Sequence, residues 1–253
     1  MKNQRRTVVI DAFPDSAFRY RACDAVACID VMLASTTLVT AAEEGWRAFV
    51  AAGVDEARSL ASRLGDALVA GGPEEGARGT FEIADGPCAL AGRRVPGRPL
   101  VLASPPGTEL IANAAGTGAV TVYVASFRNL TATAAALARH DRVALLAAGC
   151  RDEFSCEDQM GAAWIAERLL GHGFEPEDPR TAAIVRRWSG IPASLAGWGN
   201  SAALLRRSGR GDEVDFVIGH VDDVASSLVF QGSEVRAEAA PVGANAGPGG
   251  WTR

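Results

Sequence analysis

Short runs made almost wholly of Val, Ile, Leu and Ala recur along this chain, at residues 7–11, 25–30, 48–51, 67–70, 99–103, 120–125, 143–148 and 215–219. Several do not alternate apolar with polar. Successive side chains of a strand point to opposite faces, so a strand with one wet face must alternate and a strand covered on both faces need not. Between the runs, apolar residues fall at helical spacing over 36–44, 54–64, 109–115, 129–138 and 155–170. Asp55 and Glu56 open the second of these, where acids meet the positive end of a helix. Ser155-x-x-Asp158 opens the last and reads as a capping box with Asp in place of the usual Glu. Strands alternating with helices imply layers. The expected fold class is α/β: three layers, α/β/α, around a mixed, largely parallel sheet.

The alternation meets no linker, which predicts one domain over 1–240. Residues 71–99 are rich in Gly, Pro and charge and poor in strand signal; an irregular stretch that long is usually functional or mobile. Residues 172–210 read as helical without clear partition. Residues 241–253, rich in Gly, Pro and Ala, predict a flexible tail.

The net charge of −5 comes without a basic block, which argues against a nucleic-acid partner. It leaves small anions open, because a few arginines and helix N-termini suffice for them. No stretch of roughly 20 apolar residues offers a membrane span, and Asp11 ends the first apolar run too early for a signal peptide. The five cysteines are odd in number and include no C-x-x-C pair, so a disulfide framework is not expected and the cytoplasm is the natural compartment. The three histidines form no zinc-site pattern. No nucleophile–His pair, phosphate-binding G-x-x-x-x-G-K-[ST] loop or strand-linked G-x-G-x-x-G is visible. Trp188 and Trp198 fit either a contact between copies, as in a homo-oligomer, or packing within the chain.

In open α/β sheets, ligands bind beyond the carboxyl ends of strands. Asp30 ends one strand and leads through Val31, Met32, Leu33 and Ala34 to Ser35, Thr36 and Thr37 at a helix start. That carboxylate can hold Mg²⁺ or attack phosphorus, and the hydroxyls and first-turn N–H groups can hold phosphate oxygens. A helix cap with a solvated Asp explains the same residues. Glu74 and Glu75 lie among glycines, as a ligand loop or a solvent turn. Gly107 and Thr108 follow Ser104-Pro105-Pro106 at another helix start, where the two prolines remove two N–H donors. Ser126 and Asn129 face a ligand or cap a helix. Glu157 and Asp158 serve as metal ligands or general acid/base, or complement the helix dipole.

Taken in order, Ile29-Asp30-Val31-Met32-Leu33-Ala34-Ser35-Thr36-Thr37, Gly72-Pro73-Glu74-Glu75-Gly76, Phe81-Glu82-Ile83-Ala84-Asp85-Gly86-Pro87, Gly107-Thr108, Ala125-Ser126-Phe127-Arg128-Asn129 and Phe154-Ser155-Cys156-Glu157-Asp158 carry a resemblance. The chain resembles the Mg²⁺-dependent 2-phosphosulfolactate phosphatases of coenzyme M biosynthesis (ComB) over roughly residues 8–241. The resemblance implies an α/β/α fold, a Mg²⁺ site and hydrolysis of a phosphate monoester of a 2-hydroxy acid. It puts Asp30, Glu157 and Asp158 in catalytic roles, with Asp30 as nucleophile or principal metal ligand. The Mg²⁺ ligands it implies come from Asp30, Glu74 or Glu75, Glu157 and Asp158. The substrate side falls to Ser35, Thr36, Thr37, Gly107, Thr108, Ser126 and Asn129. This sequence departs from the family pattern at Leu33, where the family has Arg, and at Ser104-Pro105-Pro106, where it has Thr-Thr-Asn. The loop at 81–87 and Asp152 also differ.

Three readings follow. The leading one is a Mg²⁺-dependent phosphatase-like hydrolase acting on a small anionic substrate. The second is an enzyme of the same fold recruited to another reaction on a small acidic metabolite, motivated by Leu33 and Pro105-Pro106. The third is a non-catalytic anion-binding protein.

Overall fold

The computed structural model describes residues 5–72, 81–118, 121–150 and 153–238. The run of elements is β1 (Thr7–Ala12), β2 (Ala25–Ile29), α1 (Ala34–Glu43), β3 (Arg47–Val50), α2 (Val54–Leu64), β4 (Leu68–Gly71), β5 (Pro99–Ala103), α3 (Gly107–Gly116), β6 (Thr121–Ala125), α4 (Leu130–Leu137), β7 (Arg142–Ala147), α5 (Cys156–Gly171), β8 (Glu175–Pro176), α6 (Pro179–Trp188), α7 (Asn200–Arg207), α8 (Gly211–Gly219), β9 (Ser227–Gln231) and β10 (Glu234–Glu238). The expected flexible tail lies outside the described residues.

The ten strands of the described residues join one sheet in the order β4-β5-β3-β10-β9-β6-β2-β7-β1-β8. Pairing is parallel within β4-β5-β3 and within β6-β2-β7-β1-β8. The β9–β10 hairpin joins the two blocks by antiparallel ladders. The sheet is therefore mixed and largely parallel, as expected.

Burial explains the unbroken apolar runs. Along β2, Ala25, Ala27 and Ile29 enter one core and Val26 and Cys28 the other. Along β5, Leu100 and Leu102 face the core under α1 and α3, while Val101 and Ala103 face α2. Both faces are covered, so neither parity needs polar residues. One face carries α1 and α3; the other carries α2 over one block and α4 to α8 over the other. Each large apolar side chain buried here contributes about 1.5–3 kcal/mol.

One local expectation is corrected, and one element lies outside the expected set. Residues 215–219 are helical, inside α8, not a strand. Val214 and Val217 are its buried apolar positions, three apart, and Asp212 and Glu213 occupy its first turn. The apolar cluster there is the inward stripe of an amphipathic helix, too short to show its period. The β9–β10 hairpin was not expected, because polar residues interrupt both strands. Gly232, with φ +69°, supplies the left-handed residue of its turn.

The two blocks run in opposite senses, so in a flat sheet the carboxyl ends of β2 and β5 would lie on opposite edges. They meet nonetheless. α1 packs against β6 in one block and against β3 and β5 in the other, and α3 packs against β2, β6 and β3. The sheet wraps these two helices and brings both strand ends to one place.

Candidate active site

Asp30, first residue after β2, is 4 % exposed, and its backbone is tied down by Ser35. The Asp30 N–H donates to Ser35 Oγ at 3.1 Å, and the Ser35 N–H donates to the Asp30 carbonyl at 3.0 Å. Thr36 Oγ1 donates to the Val31 carbonyl at 2.8 Å. The expected hydroxyl cluster thus builds the turn. The Asp30 carboxylate faces the backbone N–H groups of Ala34 and Gly107, the first residues of α1 and α3, and their partial positive charge favours its ionised form. One carboxylate therefore closes two helix N-termini, neither of which has a side-chain cap of its own. Only glycine fits at 107, because a β-carbon there would collide with Asp30 Oδ2 and with the Ala34 side chain. Thr108 Oγ1 accepts the Ser104 N–H at 3.1 Å and locks the turn into α3.

Glu157 and Asp158 enter from the first turn of α5. Asp158 does not complete a capping box, and Ser155 makes no side-chain cap. Instead Asp158 Oδ1 accepts the Val31 N–H at 2.7 Å and Oδ2 accepts the Gly149 N–H at 3.0 Å. This bridges the loops after β2 and β7 and corrects the expected helix cap. Glu157 is fully buried, and its Oε1 has no hydrogen-bond partner among the described residues.

Burial, then the negative charges of Glu157 and Asp85, push the Asp30 carboxyl up to about 8 despite its two helix N-termini. Burial, then Asp30 and Glu157, raise Asp158 well above the usual carboxylate range. Such mutual repulsion marks a site short of positive charge. Among the described residues, no group of three or more His, Cys, Asp or Glu side chains is gathered tightly enough to hold a metal ion as it stands. The donor set still suits a hard cation: it is all oxygen, buried, and includes the partnerless Glu157 Oε1.

Sequence reasoning had left Asp85 and Arg210 out of the site. Ser104 Oγ donates to Asp85 Oδ2 at 2.7 Å, and Thr37 Oγ1 donates to the Asp85 carbonyl at 2.7 Å. Arg210 Nη1 pairs with Asp85 Oδ1 at 2.8 Å, and its Nη2 lies 3.6 Å from Glu213 Oε1. A cation therefore does reach the site's edge, from the residue preceding α8 and not from the loop after β2. Leu33 packs into the core. Asp85 stood in a motif already noted; nothing around Arg210 marked it.

Ser126 and Asn129 form their own turn. Ser126 Oγ accepts the Arg128 N–H at 3.3 Å, Asn129 Oδ1 accepts the Ser126 N–H at 2.9 Å, and Asn129 Nδ2 donates to the Val124 carbonyl at 3.1 Å. Glu74 and Glu75 lie outside the described residues. Burial, then Glu157, pushes the Cys156 thiol up to about 11, and burial raises Cys150, so neither is an activated nucleophile. Trp188 is buried, with its indole N–H on Gln159 Oε1 at 2.9 Å, while Trp198 is 86 % exposed. No helix among the described residues is long and apolar enough to cross a membrane.

Comparison with known proteins places the chain in a family. Residues 12–220 match the family described as 2-phosphosulpholactate phosphatase. A probable 2-phosphosulfolactate phosphatase of Deinococcus radiodurans is 32% identical over 219 residues, covering 82% of this chain and 86% of the relative. One from Symbiobacterium thermophilum is 34% identical over 196 residues, covering 74% and 83%. One from Thermus thermophilus is 32% identical over 213 residues, covering 82% and 87%. With the matched span running from the end of β1 through α8 and taking in every carboxylate of the buried cluster, the chain belongs to the 2-phosphosulfolactate phosphatase family.

Proposed function

We propose that the protein hydrolyses the phosphate monoester of a small 2-hydroxy acid, with Mg²⁺ held by Asp30 and Glu157 and with Asp158 fixing the two loops around them. The observation that carries this reading is the burial of Asp30, Asp85, Glu157 and Asp158 together, while Arg210, shared between Asp85 and Glu213, pairs with none of the other three among the described residues. Isolated buried carboxylates are too costly to keep ionised, and a bound divalent cation removes that cost. When bound, Mg²⁺ supplies the positive charge that a transferring phosphoryl group needs.

The remaining roles belong to the chain. Asp30 is pinned between the starts of α1 and α3, which leaves its carboxylate little freedom to rotate. That suits either a nucleophile, which must be held in line, or a ligand of fixed direction. Glu157 Oε1 is free to accept a proton from an attacking water. Asp158 is a positioning residue, since both its oxygens already hold backbone N–H groups. Arg210 orients Asp85 and, through it, Ser104 and Thr37.

The test is phosphate release from a panel of phosphorylated 2-hydroxy acids, including 2-phosphosulfolactate and 2-phospholactate, in Mg²⁺ and in EDTA. Release that needs Mg²⁺ is expected. A folded protein that releases phosphate from no member would contradict the reading. It would favour a different reaction on a small acid, to which the core packing of Leu33 already points.

A further inference from the structure

β1 ends beside a cavity of about 660 Å³, separate from the acidic cluster. That volume lies within the roughly 300–1,000 Å³ of sites that enclose small organic ligands. Phe13 and Phe154 give it aromatic walls, and each is substantially exposed, at 37 % and 41 %. Arg19, Arg180 and Arg187 line it against Asp11 and Asp15, so the lining is cationic in a chain of net charge −5.

The cations are arranged. The buried Asp11 carboxylate accepts from Arg180 Nη2 at 2.8 Å and the Ala12 N–H at 2.9 Å on Oδ1, and from the Tyr20 hydroxyl at 2.7 Å and Arg19 Nη1 at 3.3 Å on Oδ2. It fixes two guanidiniums and neutralises the charge of one. Arg187 pairs with no carboxylate among the described residues; it lies 5.0 Å over the Trp188 ring. Ser16, 3 % exposed and part of the same wall, has a hydroxyl with no hydrogen-bond partner among the described residues. A buried hydroxyl without a partner is costly unless a ligand or water completes it.

Phe13 ties this cavity to the acidic cluster. Its backbone sits at φ +74°, a region side chains rarely adopt and one that concentrates at functional sites. Its ring lies against Gly149, whose N–H is held by Asp158; a β-carbon at 149 would be 3.0 Å from Phe13 Cδ1. Phe13 also lines a smaller space of about 210 Å³ with Ala148 and Pro106, next to Gly107 and hence Asp30.

We infer that the larger cavity binds the non-reacting end of the substrate, an organic anion carried on an apolar body of aryl size. A three-carbon acid would leave both phenylalanine walls bare. The assignment of the phosphoryl end to the acidic cluster rests on the proposed phosphatase activity; the recognition of an aryl acid in this cavity does not.

The test is calorimetric titration of the full chain, in EDTA, with 3-phenyllactate, lactate and 3-phenyl-1,2-propanediol. Saturable binding of 3-phenyllactate is expected, at least tenfold tighter than lactate, which lacks the ring, and than the diol, which lacks the acid. Arg187→Gln and Phe154→Ala change exposed side chains and should each weaken it at least tenfold with unchanged melting temperature. No saturable binding by folded wild-type protein, or unchanged affinity in both variants, would overturn the inference. Phosphate release from 2-phospholactate without 3-phenyllactate binding would do the same while leaving the phosphatase reading intact. Binding without any phosphate release would uphold the cavity and remove the phosphatase reading.

Discussion

The carboxylate of Asp30 sits against Gly107, at the backbone N–H that opens α3, although their parent strands run in opposite senses. The approach leaves no room for a β-carbon at 107. Gly107→Ala should therefore push α3 away from Asp30 and remove one of its two N–H donors. At least a hundredfold loss of phosphatase activity is expected. The neighbouring Glu109→Ala, on the exposed side of the same turn, should lose little. Comparing the two by kcat/KM and melting temperature separates a local displacement from a general helix defect.

Asp158 holds Val31 and Gly149 by one oxygen each. Asp158→Ala strands two buried N–H groups, at about 1–3 kcal/mol apiece. Urea denaturation should show a loss on that scale, with Asp158→Asn intermediate because its amide retains one acceptor. Loss of activity with full stability in Asp158→Ala would make it a reacting group and not a positioning one.

Arg210 and Asp85 are predicted to be coupled. Removing one partner of a mostly buried pair leaves an uncompensated charge, and values of about 3–5 kcal/mol are typical of full burial. Arg210, with 19 % of its side chain exposed, should fall below that range. Arg210→Gln should lower the melting temperature, and Asp85→Asn in the same chain should restore part of it. Additive losses in the double variant would mean that the pair contributes nothing jointly.

The pH dependence follows from Asp30, whose carboxyl is raised from an ordinary 3.8 to about 8 by burial and then by Glu157 and Asp85. Between those values the folded chain binds more protons than the unfolded one, so stability falls as pH rises. The contribution is complete below about pH 4 and lost by the time pH has passed through 8. In EDTA, the melting temperature should drop between pH 6 and pH 9, and Asp30→Asn should flatten the drop. Saturating Mg²⁺ should flatten it as well, by favouring the ionised carboxylates. A metal-free protein equally stable at both pH values would contradict the raised Asp30.

Much of this architecture was legible because burial on both faces writes an apolar run that cannot be a surface strand. β2, β5 and β7 are such runs. The β9–β10 hairpin was not legible, since Ser227, Gln231 and Glu234 break its pattern, and it is the hairpin that reverses one block against the other. For the same reason the meeting of Asp30 with Gly107 could be anticipated as two loops, not as one contact. Ser155-x-x-Asp158 misled because the capping signature fixes only residue types, while tertiary N–H donors from Val31 and Gly149 competed for the carboxylate and won. Arg210 left no trace, because an arginine before a helix is ordinary on any surface and only the fold carries it to Asp85.

The most direct measurement is phosphate release, as a function of Mg²⁺ concentration, from whichever phosphorylated 2-hydroxy acid of the panel is turned over fastest, for the wild type and Glu157→Gln side by side. The account predicts saturable activation of the wild type from a baseline near zero in EDTA, and a loss of at least a hundredfold in Glu157→Gln at every Mg²⁺ concentration. Release that is indifferent to Mg²⁺, or equal in the two proteins, would contradict the assignment of the buried carboxylates as a cation-dependent catalytic centre.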